Sequence, residues 1–310
     1  MSTQNLTNTP AVHNRRGIKE QLTGIPRRRQ LIALISPASL WLFFLLILPL
    51  ATLVMLSFVK TAFGEGSTVL TLEHYRAFLQ NTIYQRLLWR SLGIALLVTV
   101  LTLLFSYPVA YFMAYFAGER QNLLLTILII PAWTSFLLRV LAWRLILGSN
   151  GLLNTFLMGI GIIQEPITGL FFSTPAVIIT LVYIWIPFAV LPIYVSLQRI
   201  EGNLFEASAD LGARPWQTFW KVIFPLSLPG ILAAFLFVFI PTVGEYVTPA
   251  LVGGPNGLMI GNIIWDQFSR GLDWPMGATL SLMMMLIVIV PLFLSSGLAE
   301  RLGLTGGGDE

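Results

Sequence analysis

Apolar and polar residues fall along this chain in long blocks, not in the short periods of a soluble fold. A polar, basic stretch over residues 1–30 gives way to a run from Leu31 to Val59 without a charge. A helix that crosses a bilayer needs about 20 mostly apolar residues. Six segments meet that length: about 35–59, 91–116, 122–146, 172–198, 222–246 and 276–298. The apolar region of a cleaved signal peptide is only roughly 7–15 residues long, so the first run predicts a retained helix. The third segment carries Arg139 and Arg144 toward its end, where long basic side chains can snorkel to the interface. The stretch 151-GLLNTFLMGIGII-163 is too short and too broken by glycine to span, and predicts an interfacial or re-entrant piece. Pro108, Pro131, Pro187, Pro192 and Pro229 lie inside spans and predict kinks whose freed carbonyls neighbouring helices must satisfy.

Composition agrees. Of 310 residues, 56% are hydrophobic and only 10% charged, against about 25% charged in a soluble domain. The chain reads as an all-α polytopic membrane protein with six transmembrane helices, its solvent the lipid bilayer. Lysine and arginine set its orientation, because cytoplasmic loops carry the excess. With six spans, the N-terminal tail, 117–121, 199–221 and the C-terminus share one side, which holds eleven of the eighteen. The opposite side holds five, with Arg139 and Arg144 left in the third span. Both termini and the 199–221 segment are therefore expected in the cytoplasm. The expected organisation is a basic cytoplasmic tail at 1–30, a permeation domain at 31–299 and a cytoplasmic C-terminal tail at 300–310.

Much chemistry is excluded. There is no cysteine, and the two histidines, His13 and His74, fall in the tail and in a loop, which predicts no metal, no cofactor and no catalytic cluster. A P-loop needs Gly-x4-Gly-Lys-Ser/Thr. Lys19, Lys60 and Lys221 are followed by Glu20, Thr61 and Val222, and none has glycines at that spacing. Neither 253-GGPNG-257 nor 306-GGG-308 contains a lysine, and no Gly-x-Ser-x-Gly elbow is present. The chain is read as a non-enzyme. A net charge of +4, dispersed beside spans, gives no case for nucleic acid.

One segment is too elaborate for a tether: 206-EASADLGARPWQTFWKVIFPLSLPG-230. Asn203 and Glu206 have the spacing of a capping box. Gly212 suits the left-handed residue that ends a helix, and Pro215 suits the first position of the next. Trp216, Phe219 and Trp220 fall on one face of that second helix. An amphipathic interfacial hairpin would show the same features.

This stretch resembles the EAA motif of ABC-importer permease subunits: Glu-Ala-Ala, three residues, Gly, nine residues, then Ile-x-Leu-Pro. Glu206, Ala207, Gly212 and Pro225 match at that spacing, with Asp210 inside it; Ser208, Val222 and Phe224 replace the second Ala, the Ile and the Leu. Four further pieces are similar to the putrescine/spermidine permease branch: 91-SLGIALLVTVLTLLFSYPVAYFMA-114, 130-IPAWTSFLLRVLAW-143, 241-PTVGEYVTPALVGGP-255, and 258-LMIGNIIWDQF-268 with 273-DWPMGA-278. Related permeases for iron, opines and amino acids share this layout, and a stand-alone secondary transporter is the rival from another class. The resemblance implies a type I, MetI-like importer fold in a bacterial inner membrane. It further implies a loop at 199–225 that couples to a separate ATP-binding subunit, two copies of that subunit, a second permease subunit and a periplasmic or extracellular solute-binding protein.

A polyamine asks for carboxylates and aromatic faces. Glu245 is the only carboxylate in the predicted spans. It either meets the solute, beside Tyr246, or is held by Arg139 or Arg144. Asp266 and Asp273, with Trp265 and Trp274 in the loop before the last span, could line the entry or seat the binding protein, or be plain loop acids and interface-anchoring aromatics. Trp133, Tyr183 and Trp185 lie beside Pro131 and Pro187, as pathway or packing residues.

Overall fold

The structure, a computed structural model, describes residues 27–60, 70–167 and 169–301. The sequence expectations for residues 1–26 and 302–310 lie outside them. The chain divides into two units between Met55 and Leu56. The first holds all but the last two residues of helix α1 (Arg27–Ser57), which has apolar residues on every side, as lipid requires.

The second unit opens with the short α2 (Glu73–Gln80) and the long α3 (Thr82–Tyr115). Then follow α4 (Gln121–Ile129), α5 (Phe136–Leu147), α6 (Leu152–Gly159) and α7 (Thr174–Gln198). The loop helices α8 (Asn203–Asp210) and α9 (Pro215–Thr218) lead into α10 (Phe224–Val243), and α11 (Ile260–Ser269) and α12 (Trp274–Arg301) complete the chain. Among the described residues, five stretches are long and apolar enough to cross a membrane: Leu34–Ser57, Thr82–Tyr115, Phe136–Gly159, Thr174–Gln198 and Pro215–Val243. Trp274–Ile289 is a shorter apolar stretch of α12.

Four boundaries differ from the hydropathy pattern. The second span begins at Thr82 and not near 91, because the Asn81 side chain accepts the Ile83 N–H and starts the helix ahead of its apolar stretch. The third is not continuous. Pro131, which has no N–H to give the helix, sits in a 3-10 turn over Ile130–Trp133, and Thr134 and Ser135 are extended before α5 resumes. The short piece at 151–163 forms α6, which adds to α5 in the apolar stretch Phe136–Gly159. The fifth span runs from Pro215 and ends at Val243, so Glu245 lies beyond its end.

The core is built around α7, whose Val177, Leu181, Ile184, Ala189, Ile193 and Leu197 are buried between α3 and α10. Close approach of α7 and α10 depends on Gly230. A Cβ there would collide with the Ser196 Cβ and stand 2.7 Å from the Pro192 carbonyl oxygen. Small residues at such crossings let backbones approach, which is how helices associate where water cannot drive them together. A smaller cluster of Phe78, Leu88, Ile260, Met276 and Leu280 joins α2, α3, α11 and α12.

Candidate functional site

The motif loop sits at one end of the bundle, beside the C-terminal ends of α3 and α7. Its local structure follows the sequence except at the start. The capping box does not form: α8 is preceded by Gly202 without a side-chain cap, and Asn203 Nδ2 donates to Glu201 Oε2 at 2.8 Å instead. Glu206, Ala207 and Asp210 are exposed along α8. Gly212 ends it with φ +76°, a left-handed conformation that strains any residue with a Cβ. Arg214 N–H then donates to Gln217 Oε1 at 2.8 Å, and Pro215 opens α9.

Beyond α9 the helix widens into a π turn over Phe219–Ile223. Pro225 explains it. Without an N–H, Pro225 cannot close the bond to Lys221 four residues back, and the Phe224 N–H reaches Phe219 instead. Ser208 of α8, at the position of the motif's second alanine, is buried against α9: its hydroxyl lies 2.9 Å from that of Thr218, joining the two arms of the loop. Trp216, Phe219 and Trp220 form a cluster, with the two tryptophan rings 5.4 Å apart. A pocket of about 940 Å³ opens beside the loop, lined among others by Tyr111, Tyr115, Gln121, Gln198, Phe205 and Glu206.

Three tyrosines of 107-YPVAYFMAY-115 face this loop and were not singled out from the sequence, although their spacing of four places them on one helix face. Tyr115 packs edge-on against Phe205 of α8 at 5.0 Å. Tyr107 and Tyr111 do the same against Phe219, at 5.9 and 5.8 Å. The Tyr115 hydroxyl donates to the Leu197 carbonyl at 3.0 Å, and the Tyr107 hydroxyl meets Ser227 Oγ at 3.1 Å.

At the opposite end, Glu245 makes no ion pair with Arg139 or Arg144. Its Oε1 accepts the N–H groups of Val247 (2.8 Å) and Thr248 (3.0 Å), capping the short helical turn that follows. Arg139 Nη1 donates instead to the Ile184 carbonyl at 3.5 Å, and the Arg144 guanidinium stands 5.8 Å from the centre of the Phe172 ring. The Tyr246 ring stacks on Trp265 with centroids 4.9 Å apart and planes 14° from parallel. Buried Asn262 fixes the pair by donating to the Tyr246 carbonyl at 2.8 Å and accepting from the Met259 N–H at 3.0 Å. Carboxylates and aromatic faces are the groups that suit an organic cation, and here they occur at neighbouring positions of the chain.

The remaining candidates separate. Asp266 pairs with Arg270 at 3.6 Å, and Asp273 caps α12 by accepting the Met276 N–H at 3.1 Å, so each has a local structural partner. Tyr183 lies in a cavity of about 240 Å³ with Pro131, Arg139 and Pro187, and packs edge-on against Trp143 at 5.3 Å. Trp133 is 82% exposed on its 3-10 turn. Trp185 packs on Phe188, and its indole N–H is buried without a hydrogen-bond partner among the described residues. These aromatics do not converge on Glu245.

Residues 106–303 match the family model described as binding-protein-dependent transport system inner membrane component. The spermidine/putrescine transport system permease protein PotB of Escherichia coli is 41% identical over 238 residues, covering 76% of this chain and 83% of that protein. The Haemophilus influenzae PotB is 35% identical over 257 residues (82% and 88%), and the E. coli inner membrane ABC transporter permease protein YdcU is 36% identical over 247 residues (76% and 76%). Among solved structures, a bacterial ABC transporter involved in the import of the acidic polysaccharide alginate covers 91% of this chain and 99% of its own at 17% identity, with a TM-score of 0.68. The MetNI methionine ABC transporter covers 70% and 94% at 20% identity, with a TM-score of 0.53. The matched segment takes in the end of α3, the motif loop and the Glu245 cluster, and the chain belongs to the binding-protein-dependent transport system inner membrane components, the permease subunits of ABC importers with the type I, MetI-like fold.

Proposed function

We propose that this permease forms the translocation pathway for a polyamine such as putrescine or spermidine. The observation that carries this reading is the 41% identity to a spermidine/putrescine permease; a carboxylate at Glu245 and a stacked aromatic pair at its chain neighbour Tyr246 support it. The driving ATP is hydrolysed on a separate subunit that docks on the exposed faces of Glu206, Ala207 and Asp210. The absence of a P-loop from the sequence supports that division of labour. Two ATP-binding copies, a second permease subunit and an external solute-binding protein complete the importer. Both termini and the motif loop face the cytoplasm, in keeping with the excess of lysine and arginine on that side.

The test is uptake of labelled putrescine by proteoliposomes holding the assembled importer, challenged with spermidine, amino acids and iron chelates. Competition by spermidine alone is the expected result. Uptake that responds to an amino acid or an iron chelate and ignores polyamines would overturn the substrate. Docking is tested separately: Glu206→Lys should insert normally and lose the ATP-binding subunit on co-purification.

A further inference from the structure

Helix α3 touches both functional ends of the molecule. It is a continuous helix of 34 residues, about 51 Å long at 1.5 Å per residue. At the loop end the Tyr107–Tyr111–Tyr115 face grips both arms of the motif loop: Phe205 on the first arm through Tyr115, and Phe219 on the second through Tyr107 and Tyr111. The Ser208–Thr218 contact ties the two arms to each other. The loop is thus bolted to α3 at two places and cannot swing on its linkers alone.

At the other end, Ser91 is fully buried. Its hydroxyl donates to the Leu87 carbonyl at 2.8 Å and accepts the N–H of Ile260, the first residue of α11, at 2.7 Å. Two residues further, Asn262 holds the Tyr246 carbonyl, next to Glu245. Arg90, one residue before Ser91, donates to Thr174 Oγ1 at 2.9 Å. A displacement of α3 along its axis would therefore disturb the buried Ser91–Ile260 bond and the turn that presents Glu245 and Tyr246. A buried N–H that loses its only acceptor is costly, so the turn must follow the helix.

We infer that α3 is the rod that links the ATPase-docking loop to the solute carboxylate, with the tyrosine face and Ser91 as its two positioning ends. This rests on the docking reading above. The residues act through others and touch neither ATP nor solute, so their signature is the number of solute molecules moved per ATP hydrolysed.

The experiment uses the assembled importer in proteoliposomes, with Tyr111→Leu, Ser91→Ala and the double variant. Each single variant should keep the ATP-binding subunit and lower the solute moved per ATP by about tenfold, within the range by which residues linking two sites change coupling. The two positions are 20 residues apart on α3, about 30 Å at 1.5 Å per residue, and changes that far apart ordinarily add. A rod broken at one end gains nothing from a second break, so the double variant should be no worse than the poorer single. Melting temperatures, by contrast, should fall additively. Should either single variant insert poorly, Phe219→Leu, which removes the ring that Tyr111 packs on, and Ser91→Cys, whose sulfur is only a weak acceptor for the Ile260 N–H, replace them in the same cycle.

Multiplying fold-losses in the double variant, or an unchanged solute-to-ATP ratio in the singles, would overturn the rod. Loss of the ATP-binding subunit in Tyr111→Leu would also overturn it, leaving the tyrosines as part of the dock. Failure of the docking reading is visible independently, as retention of that subunit by Glu206→Lys.

Discussion

Glu245 caps a turn with its carboxylate, and under the proposed function the same carboxylate would also meet the solute. Its Oε1 caps the turn after α10, and a glutamine amide oxygen can accept the same two N–H groups. Glu245→Gln should then cost only the charge at a helix start, about 0.3–1 kcal/mol, read as a small fall in melting temperature. A charge-assisted contact to a cationic solute contributes about 1.5–3 kcal/mol, so uptake should weaken by roughly tenfold or more while the complex still assembles. Arg139→Gln and Arg144→Gln should not rescue it, because neither arginine reaches it. Normal uptake by Glu245→Gln would remove this residue from the solute path. From the sequence Glu245 stood out as an acid in apolar surroundings, but its partner was not legible. Hydropathy marks where a charge must be satisfied, and only the backbone turn at 245–248 shows how. Ser208 is the converse case. As a small-for-small change in the motif it looked neutral, and the hydroxyl it brings is the link to Thr218.

At the scale of elements, apolar blocks in the sequence located the spans because lipid permits little else. They failed at edges where side chains outside the apolar set continue a helix, as from Thr82 to Arg90. At Pro131, where a kink was expected, they did not show that the third span breaks into two helices. The α7–α10 crossing was also invisible, since nothing local distinguishes Gly230 from a lipid-facing glycine. It gives a direct expectation. Gly230→Ala should destabilise the crossing by about 1–3 kcal/mol, as overpacked cores do. Ser196→Gly in the same chain should return part of that loss, relieving the Cβ collision and leaving the Pro192 carbonyl contact. Thermal melting in detergent reads both variants. No loss in the single variant would mean the two helices do not cross that closely in the membrane.

For the whole molecule, side of the membrane is the property on which the functional assignment of each end depends. The absence of native cysteine makes it measurable. Ser208 would be a poor reporter because it is buried against Thr218. Asn256→Cys and Leu211→Cys, both at exposed positions, serve better. An impermeant thiol reagent should label the first from outside the cell and the second only after the membrane is opened. The reverse pattern would place the motif loop outside and end the docking reading.

The motif loop also bears on how long the chain survives in a cell. Leu211 is 88% exposed and Trp216 69% exposed, the first where α8 ends and the second where α9 begins. Under the docking reading these side chains face the ATP-binding subunit, which would cover them. A copy synthesised without its partners would present them continuously to the proteases that clear unassembled subunits. Pulse-chase measurement should find the chain short-lived when expressed alone and several-fold longer-lived when the ATP-binding subunit is supplied. Leu211→Gln should lengthen the solitary half-life without any partner. An equal half-life in all three cases would mean that assembly, for this permease, is not policed through the loop.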